Sequence, residues 1–307
     1  MVRMSRGDRF LELLKTTAPV FAARVDATAR RFPGPFARIS ERLIGWADAT
    51  LGGESLKQLV DGYLNFAFDV NRCQRAYEET GRYRSQTAAQ IYAEIYANSE
   101  VMTSYHWGMY TTWFAWEHHL AVMEMFERSF LPRFATDEPI NLIDLGCGSG
   151  VWSALALSVL QKARARLVDI SPTTVEITTR MLAAAGLAAR AAVRVGDAAE
   201  PDGLGAADGA ISSFVLAHLE RPETLFAGLA AALKPHGSAF VTAALSAAES
   251  DHITEFRREG EVIALAEAAG FRLIEAHSFA PEGVPLSARY LPRALALVLE
   301  KRRGEVW

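Results

Sequence analysis

The chain has 307 residues, of which 50% are hydrophobic, and a formal net charge of -4. That length is ample for two domains and a sizeable core. The mild acidity, without any long basic run, excludes the electrostatic footprint of a nucleic-acid binder. No uninterrupted apolar segment has the length of a bilayer span, and the start, Met1 to Arg9, has no run of signal-peptide length. A soluble, cytoplasmic protein without a membrane or nucleic-acid partner is therefore expected, acting on small molecules, with its oligomeric state open. Its two cysteines, Cys73 and Cys147, support neither a disulfide framework nor a thiolate metal site.

Residues 1–136 carry helical spacing and no strand-like alternation. Helices are expected from Arg9 to Phe32 with an interruption at Pro19, then from Phe36 to Leu51 after a turn at Pro33-Gly34-Pro35. Others follow from Leu56 to Tyr77 and beyond Ser85, and a long one runs from Asn98-Ser99 to about Phe130, stopped by Leu131-Pro132. There is no internal repeat and no low-complexity linker. This half reads as an all-helical lid that encloses substrate against residues 137–307.

The last of these helices contains an aromatic segment running from Tyr105 to His119. Trp107, Tyr110 and Phe114 fall on one helical stripe, and Trp113 and Trp116 begin a neighbouring one. So many rings cannot all face water. Some must join the lid to the other half, and one or two, Tyr105 or Tyr110 foremost, would cover a bound ligand and offer a π face to a cation. Adjacent His118 and His119 point about 100° apart on a helix, so one metal ion would not take both, and no metal is expected. A single general base among His106, His118, His119 and His218 suits an imidazole better, because that group titrates near neutral pH.

The second half opens with an apolar strand, Ile140-Asn141-Leu142, running into Ile143-Asp144-Leu145-Gly146-Cys147-Gly148-Ser149-Gly150 and then the apolar run from Val151 to Leu157. This is a strand turning through glycines into a helix, where only residues without a Cβ let the main chain adopt φ > 0 and approach a nucleotide-like ligand. A dinucleotide fingerprint would read G-x-G-x-x-G and aim helix N–H groups at a pyrophosphate. Here Asp144 precedes Gly146, Gly148 and Gly150 in an Asp-x-Gly-x-Gly-x-Gly order. A carboxylate so near the turn suits a ligand bearing an ammonium group.

That pattern resembles the first motif of the class I S-adenosylmethionine (SAM) dependent methyltransferases, and the residues after it keep the family's order. The strand Ala165-Arg166-Leu167-Val168 ends in Asp169, followed by Ile170; the segment from Ala191 to Val195 ends in Gly196-Asp197-Ala198. The resemblance implies that Asp169 accepts the ribose hydroxyls and Asp197 the adenine amino group. Residues Asp208 to Leu216 read as a fourth strand whose end, with Ser213 and Phe214, lies beside the sulfonium. A helix from Leu225 to Leu233 and the stretch from Lys234 to Thr242 resemble the turn into a fifth strand, and strands are expected near Phe271 to Phe279 and Ala294 to Lys301. The implied fold is α/β and Rossmann-like, a mainly parallel seven-stranded sheet with one antiparallel strand, carrying the helical lid at its N-terminus.

Two reactions remain open on this reading. The layout and the aromatic segment are also similar to the bacterial azetidine-2-carboxylate synthases, which implies a biosynthetic ring closure: the SAM α-amine attacks its own γ carbon and 5′-methylthioadenosine leaves. The alternative is methyl transfer to a small-molecule acceptor; no Asn-Pro-Pro-Tyr-like stretch follows the fourth strand, which disfavours amide or nucleobase N-methylation. A third reading, SAM binding without catalysis, is opposed by the acids present at 144, 169 and 197. For ring closure the amine must lose a proton, and Tyr105, Tyr110, Ser213, His118 or the Asp144 carboxylate is a candidate to take or relay it. Ser212 and Ser213 are candidates to bind an amine or acceptor.

Overall fold

The computed structural model describes residues 4–200, 203–281, 283–285 and 287–302; residues 1–3, part of the segment used above to expect a cytoplasmic protein, and 303–307 lie outside the described residues. Among the described residues, seven α-helices precede the first strand. Helix α1 (Arg6–Thr17) starts where the Ser5 side chain accepts from the Asp8 N–H while Asp8 accepts from the Ser5 N–H, a reciprocal cap. Helices α2 (Pro19–Arg31) and α3 (Pro33–Leu51) each begin on a proline. The expected turn at Pro33-Gly34-Pro35 is therefore the first turn of α3, because a proline at that position lacks only an N–H that would be unpaired anyway.

Helix α4 (Ser55–Thr80) crosses α6 (Ser99–Ala115) at two glycines. A Cβ on Gly108 would lie 2.5 Å from the Gly62 carbonyl oxygen, so the backbones touch only because neither residue has a side chain. Between them lie the short α5 (Ala88–Ile91) and a π-helical turn, Tyr92–Tyr96. The long helix expected up to Phe130 is broken. Trp116 is extended, with φ -106° and ψ 128°, and α7 (Glu117–Met125) starts afresh after it before a second π-helical turn, Phe126–Phe130.

The remaining residues build a seven-stranded sheet in the order β3-β2-β1-β4-β5-β7-β6. Its strands are β1 (Ile140–Leu145), β2 (Ala163–Asp169), β3 (Ala191–Val195), β4 (Ala207–Ser213), β5 (Leu233–Leu245), β6 (Phe271–Phe279) and β7 (Arg293–Lys301). All neighbours pair in parallel except β7, which runs antiparallel to both β5 and β6. Helices α8 (Val151–Val159), α9 (Pro172–Ala184), α10 (Glu223–Ala232) and α11 (Glu259–Ala268) cover it; α11 was not anticipated. The fourth strand stops at Ser213, not Leu216, because Phe214 turns to φ 57° and donates its N–H to the Thr242 hydroxyl. From β1 the chain winds outward through β2 and β3, then returns to β4 on the other side, which opens a crevice at the carboxyl ends of β1 and β4 where α/β sheets bind ligands.

One hydrophobic core runs from the N-terminal helices onto a face of the sheet. Phe10, Leu43, Tyr63 and Phe114 belong to the same cluster as Phe126, Trp152 and Phe240. Phe126 packs at 5.0 Å on both Trp152 and Phe240, joining the segment after α7 to α8 and β5. The helical half is thus built into the core and is more than a cap resting on the sheet.

Candidate active site

The floor of the site is made by backbone. After β1, Gly146, Gly148 and Gly150 all take positive φ (69°, 48° and 66°). A Cβ on Gly146 would meet Val215 Cγ2 at 2.4 Å, and one on Gly150 would meet Thr178 Cγ2 at 2.5 Å, so neither position admits a side chain. Gly146 and Gly148 border a cavity of about 1200 Å³. Gly150 does not; it faces α9 and only shapes the turn.

Asp169, at the end of β2, borders the same cavity and is tied to its wall by two main-chain donors, Gly148 N–H at 2.9 Å to Oδ2 and Ser171 N–H at 3.0 Å to Oδ1. Burial pushes its carboxyl upward while these N–H groups pull the other way. Each oxygen keeps a lone pair for a ligand hydroxyl. Beside it Ile170 is 38% exposed, an apolar shelf open to the cavity, and Asp197 and Ala198 border the cavity after β3. Asp197 Oδ1 accepts the Ala199 N–H at 2.8 Å, leaving Oδ2 for another donor. A nucleoside fits this set: paired acceptors for a diol, an apolar shelf for a base, and a glycine cradle that any Cβ would fill.

Asp144 is a correction. It is buried on the α8 side of β1, where Oδ2 accepts from Ser153 Oγ at 2.7 Å and Oδ1 has no partner, and it does not border the cavity. Strand alternation turns it under the glycine turn, with Leu142, instead of toward a ligand's ammonium group. Burial pushes its carboxyl up to about 7. Ser212 is likewise buried, donating to the Leu145 carbonyl at 2.8 Å, whereas Ser213 borders the cavity and pairs with the Thr242 hydroxyl at 2.9 Å.

The roof is made by side chains at the break between α6 and α7. Trp116 stacks on His118 with centroids 5.4 Å apart, and His119 lies 5.0 Å from Trp116 and 5.3 Å from Phe214. All four rings, with Tyr105, border the cavity. Burial lowers His118 to about 4 and His119 well below its ordinary value, so both imidazoles are neutral at pH 7. His106 is buried without a hydrogen-bond partner, packed on Trp107, and is away from the cavity. Tyr110 is the second correction: it is fully buried and donates to the Leu43 carbonyl at 2.7 Å. Five residues separate it from Tyr105, about 140° around the helix, so when one tyrosine faces the cavity the other faces the core.

A third wall was missed. After β5, Glu249, Asp251 and His252 meet His218 and the π-turn residue Tyr96, whose hydroxyl donates to Asp251 Oδ2 at 2.9 Å. The Tyr105 hydroxyl sits against the same two carboxylates. Burial, and then the Asp251 charge, push Glu249 well above the usual carboxylate range. Asp251 resists its own burial because His218, His252 and Tyr96 hold it below the ordinary value. The signal was present in the sequence as Glu-x-Asp-His just past the fifth strand, but nothing local ties it to Tyr96, 155 residues away.

Among known proteins, the model of a methyltransferase domain matches residues 117–280. The solved mitomycin 7-O-methyltransferase MmcR is 19% identical, with a TM-score of 0.51 over 77% of this chain and 68% of that one. A candidate sarcosine dimethylglycine methyltransferase from Galdieria sulphuraria is 15% identical, with a TM-score of 0.50 over 60% and 85%. The [4+2]-cyclase SpnF is 17% identical, with a TM-score of 0.48 over 60% and 80%. At these identities the structures share the fold alone. No curated protein sequence matches the chain.

Proposed function

The chain belongs to the methyltransferase-domain family, and from that premise we propose that it consumes SAM by ring closure to azetidine-2-carboxylate, releasing 5′-methylthioadenosine. SAM supplies an electrophilic sulfonium. The residues suited to hold it are Gly146 and Gly148 through their backbone, Asp169 for the ribose hydroxyls, Ile170 and Ala198 for the faces of adenine, and Asp197 for its amino group.

The observation that carries the ring-closing reading is the uncharged aromatic roof, Trp116, Phe214 and the neutral His118 and His119, bordering the same cavity as Gly146 and Gly148. A nitrogen nucleophile must be unprotonated, and a poorly hydrated wall without charge disfavours an ammonium. The N–C bond forms as the C–S bond breaks, the electron pair stays on sulfur, and the amine gives up one proton. Of the hydroxyls considered, Ser213 and Tyr105 border the cavity and suit the relay; Tyr110 and the Asp144 carboxyl do not border it. The rings favour the sulfonium before its charge is lost, so their contribution is orientation and exclusion of water more than rate by attraction.

Methyl transfer to a second small molecule is the other reading, and cavity size favours it: about 1200 Å³ exceeds the roughly 300–1,000 Å³ of an ordinary ligand site. Incubation of the protein with SAM alone, followed by mass spectrometry against an enzyme-free control, separates the two. Methylthioadenosine with azetidine-2-carboxylate is expected; intact SAM, with S-adenosylhomocysteine formed only after cell extract is added, would replace ring closure by methyl transfer.

A further inference from the structure

We propose that His218, Asp251 and His252 form a binding site for one transition-metal dication of the zinc class, open to the cavity. Among the described residues, one ring nitrogen from each histidine and one Asp251 oxygen lie within 4.8 Å of one another. His218 Nδ1 is 3.4 Å from Asp251 Oδ2 and 3.2 Å from the Asp251 carbonyl oxygen; the carbonyl only accepts, so Nδ1 carries the ring proton and Nε2 is left for an ion. His118 and His119, adjacent in sequence, take no part.

The groups are held as ligands are held. His252 Nδ1 is 2.8 Å from the Ala247 carbonyl oxygen. A carbonyl only accepts, so Nδ1 carries the ring proton and Nε2 the free electron pair, the arrangement in which metal-binding imidazoles are oriented by a backbone acceptor. Tyr96 fixes Asp251 in the same way, by donating to Oδ2.

An independent sign of a missing partner is Asp251 itself. Its side chain is 0% exposed, yet Oδ1 has no hydrogen-bond partner. An unpaired oxygen of a buried carboxylate is costly unless a cation or donor occupies it. Glu249 Oε2, 3.9 Å from His252 Nε2, places a further carboxylate oxygen beside the site. Two imidazoles with carboxylate oxygen suit zinc-class ions better than magnesium or calcium, which prefer all-oxygen shells. Because His218 and His252 border the cavity, the remaining coordination position would take an oxygen or nitrogen donor of the bound small molecule.

The test needs no turnover, so its outcome is separate from that of ring closure. The full-length protein, stripped with chelator, is titrated with ZnCl2 by calorimetry and with CoCl2 by absorbance, where d–d bands report tetrahedral coordination. One equivalent is expected, bound at least ~100-fold more weakly by Asp251→Asn and His252→Gln, since losing a ligand costs more than losing an outer-shell partner, and equally well by His277→Gln, which alters a half-exposed surface histidine. If either site variant fails to fold, His218→Gln makes the same comparison. Absence of saturable binding, or binding unchanged by the site substitutions, overturns the proposal.

Discussion

The floor and the roof of the cavity are built by different means. The floor is main chain: glycines that cannot carry a Cβ, N–H groups of Gly148 and Ser171 clamping Asp169, and a strand end that sets where they lie. The roof is side chains at the break between α6 and α7, joined by Phe214 from beyond β4, and the residues of α6 divide between cavity and core. Changes in the floor should therefore act on ligand affinity, while changes in the roof act on turnover or on stability according to which way each ring points.

The largest effect is expected at Asp169. Asp169→Ala removes an acceptor pair for the ribose diol, at about 1.5–3 kcal/mol for each charge-assisted bond, so affinity for S-adenosylhomocysteine should fall ~100-fold or more by calorimetry. Unchanged affinity would remove the floor from the nucleoside site.

Asp144 tests the floor from beneath. Its carboxyl titrates at about 7 in the folded chain and near 3.9 when unfolded. The unfolded chain therefore gives up its proton first, and the stability contributed by the protonated form is complete below about pH 4 and lost as pH rises through about 7. Asp144→Asn should match the parent near pH 4 and exceed it by roughly 2–4 kcal/mol at about pH 8 in urea unfolding. A constant difference across that range would show that Asp144 does not titrate as its burial implies.

The two tyrosines sharpen the contrast within the roof. Tyr110→Phe removes the hydroxyl's bond to the Leu43 carbonyl, which keeps its helical donor, so it should cost about 0.5–1.5 kcal/mol of stability with turnover of the folded protein retained. Tyr105→Phe should do the reverse, lowering turnover about tenfold while stability stays within about 0.5 kcal/mol. The smallest effect is expected at Phe214: replacement by Leu removes a π face worth roughly 0.5–2 kcal/mol to a cation, weakening SAM by up to about thirtyfold and S-adenosylhomocysteine, which lacks the charge, by less. Equal losses for both ligands would argue that the ring only fills space.

Most of the sheet half was legible because its signals are local. A strand that ends in an acid, a turn that needs glycine and an apolar run of a few residues are each written within a short window, and their chain order implies the parallel winding. The roof was legible only as a surplus of aromatic residues. Helical spacing gives the angle between Tyr105 and Tyr110 but not which of the two directions is occupied by other atoms. Nor does it reveal the break at Trp116, after which His119 lies against Phe214.

By itself, then, the sequence determined the class of fold, the glycine turn and the acids at the ends of β2 and β3, because backbone conformation and strand periodicity depend on neighbours along the chain. Only the tertiary structure decided that Asp144 lies beneath the turn, that Tyr110 belongs to the core, and that Tyr96, His218 and His252, at one corner of the cavity, gather round the buried Asp251. Those outcomes depend on contacts across scores of residues, where burial and hydrogen-bond satisfaction are settled by what packs alongside.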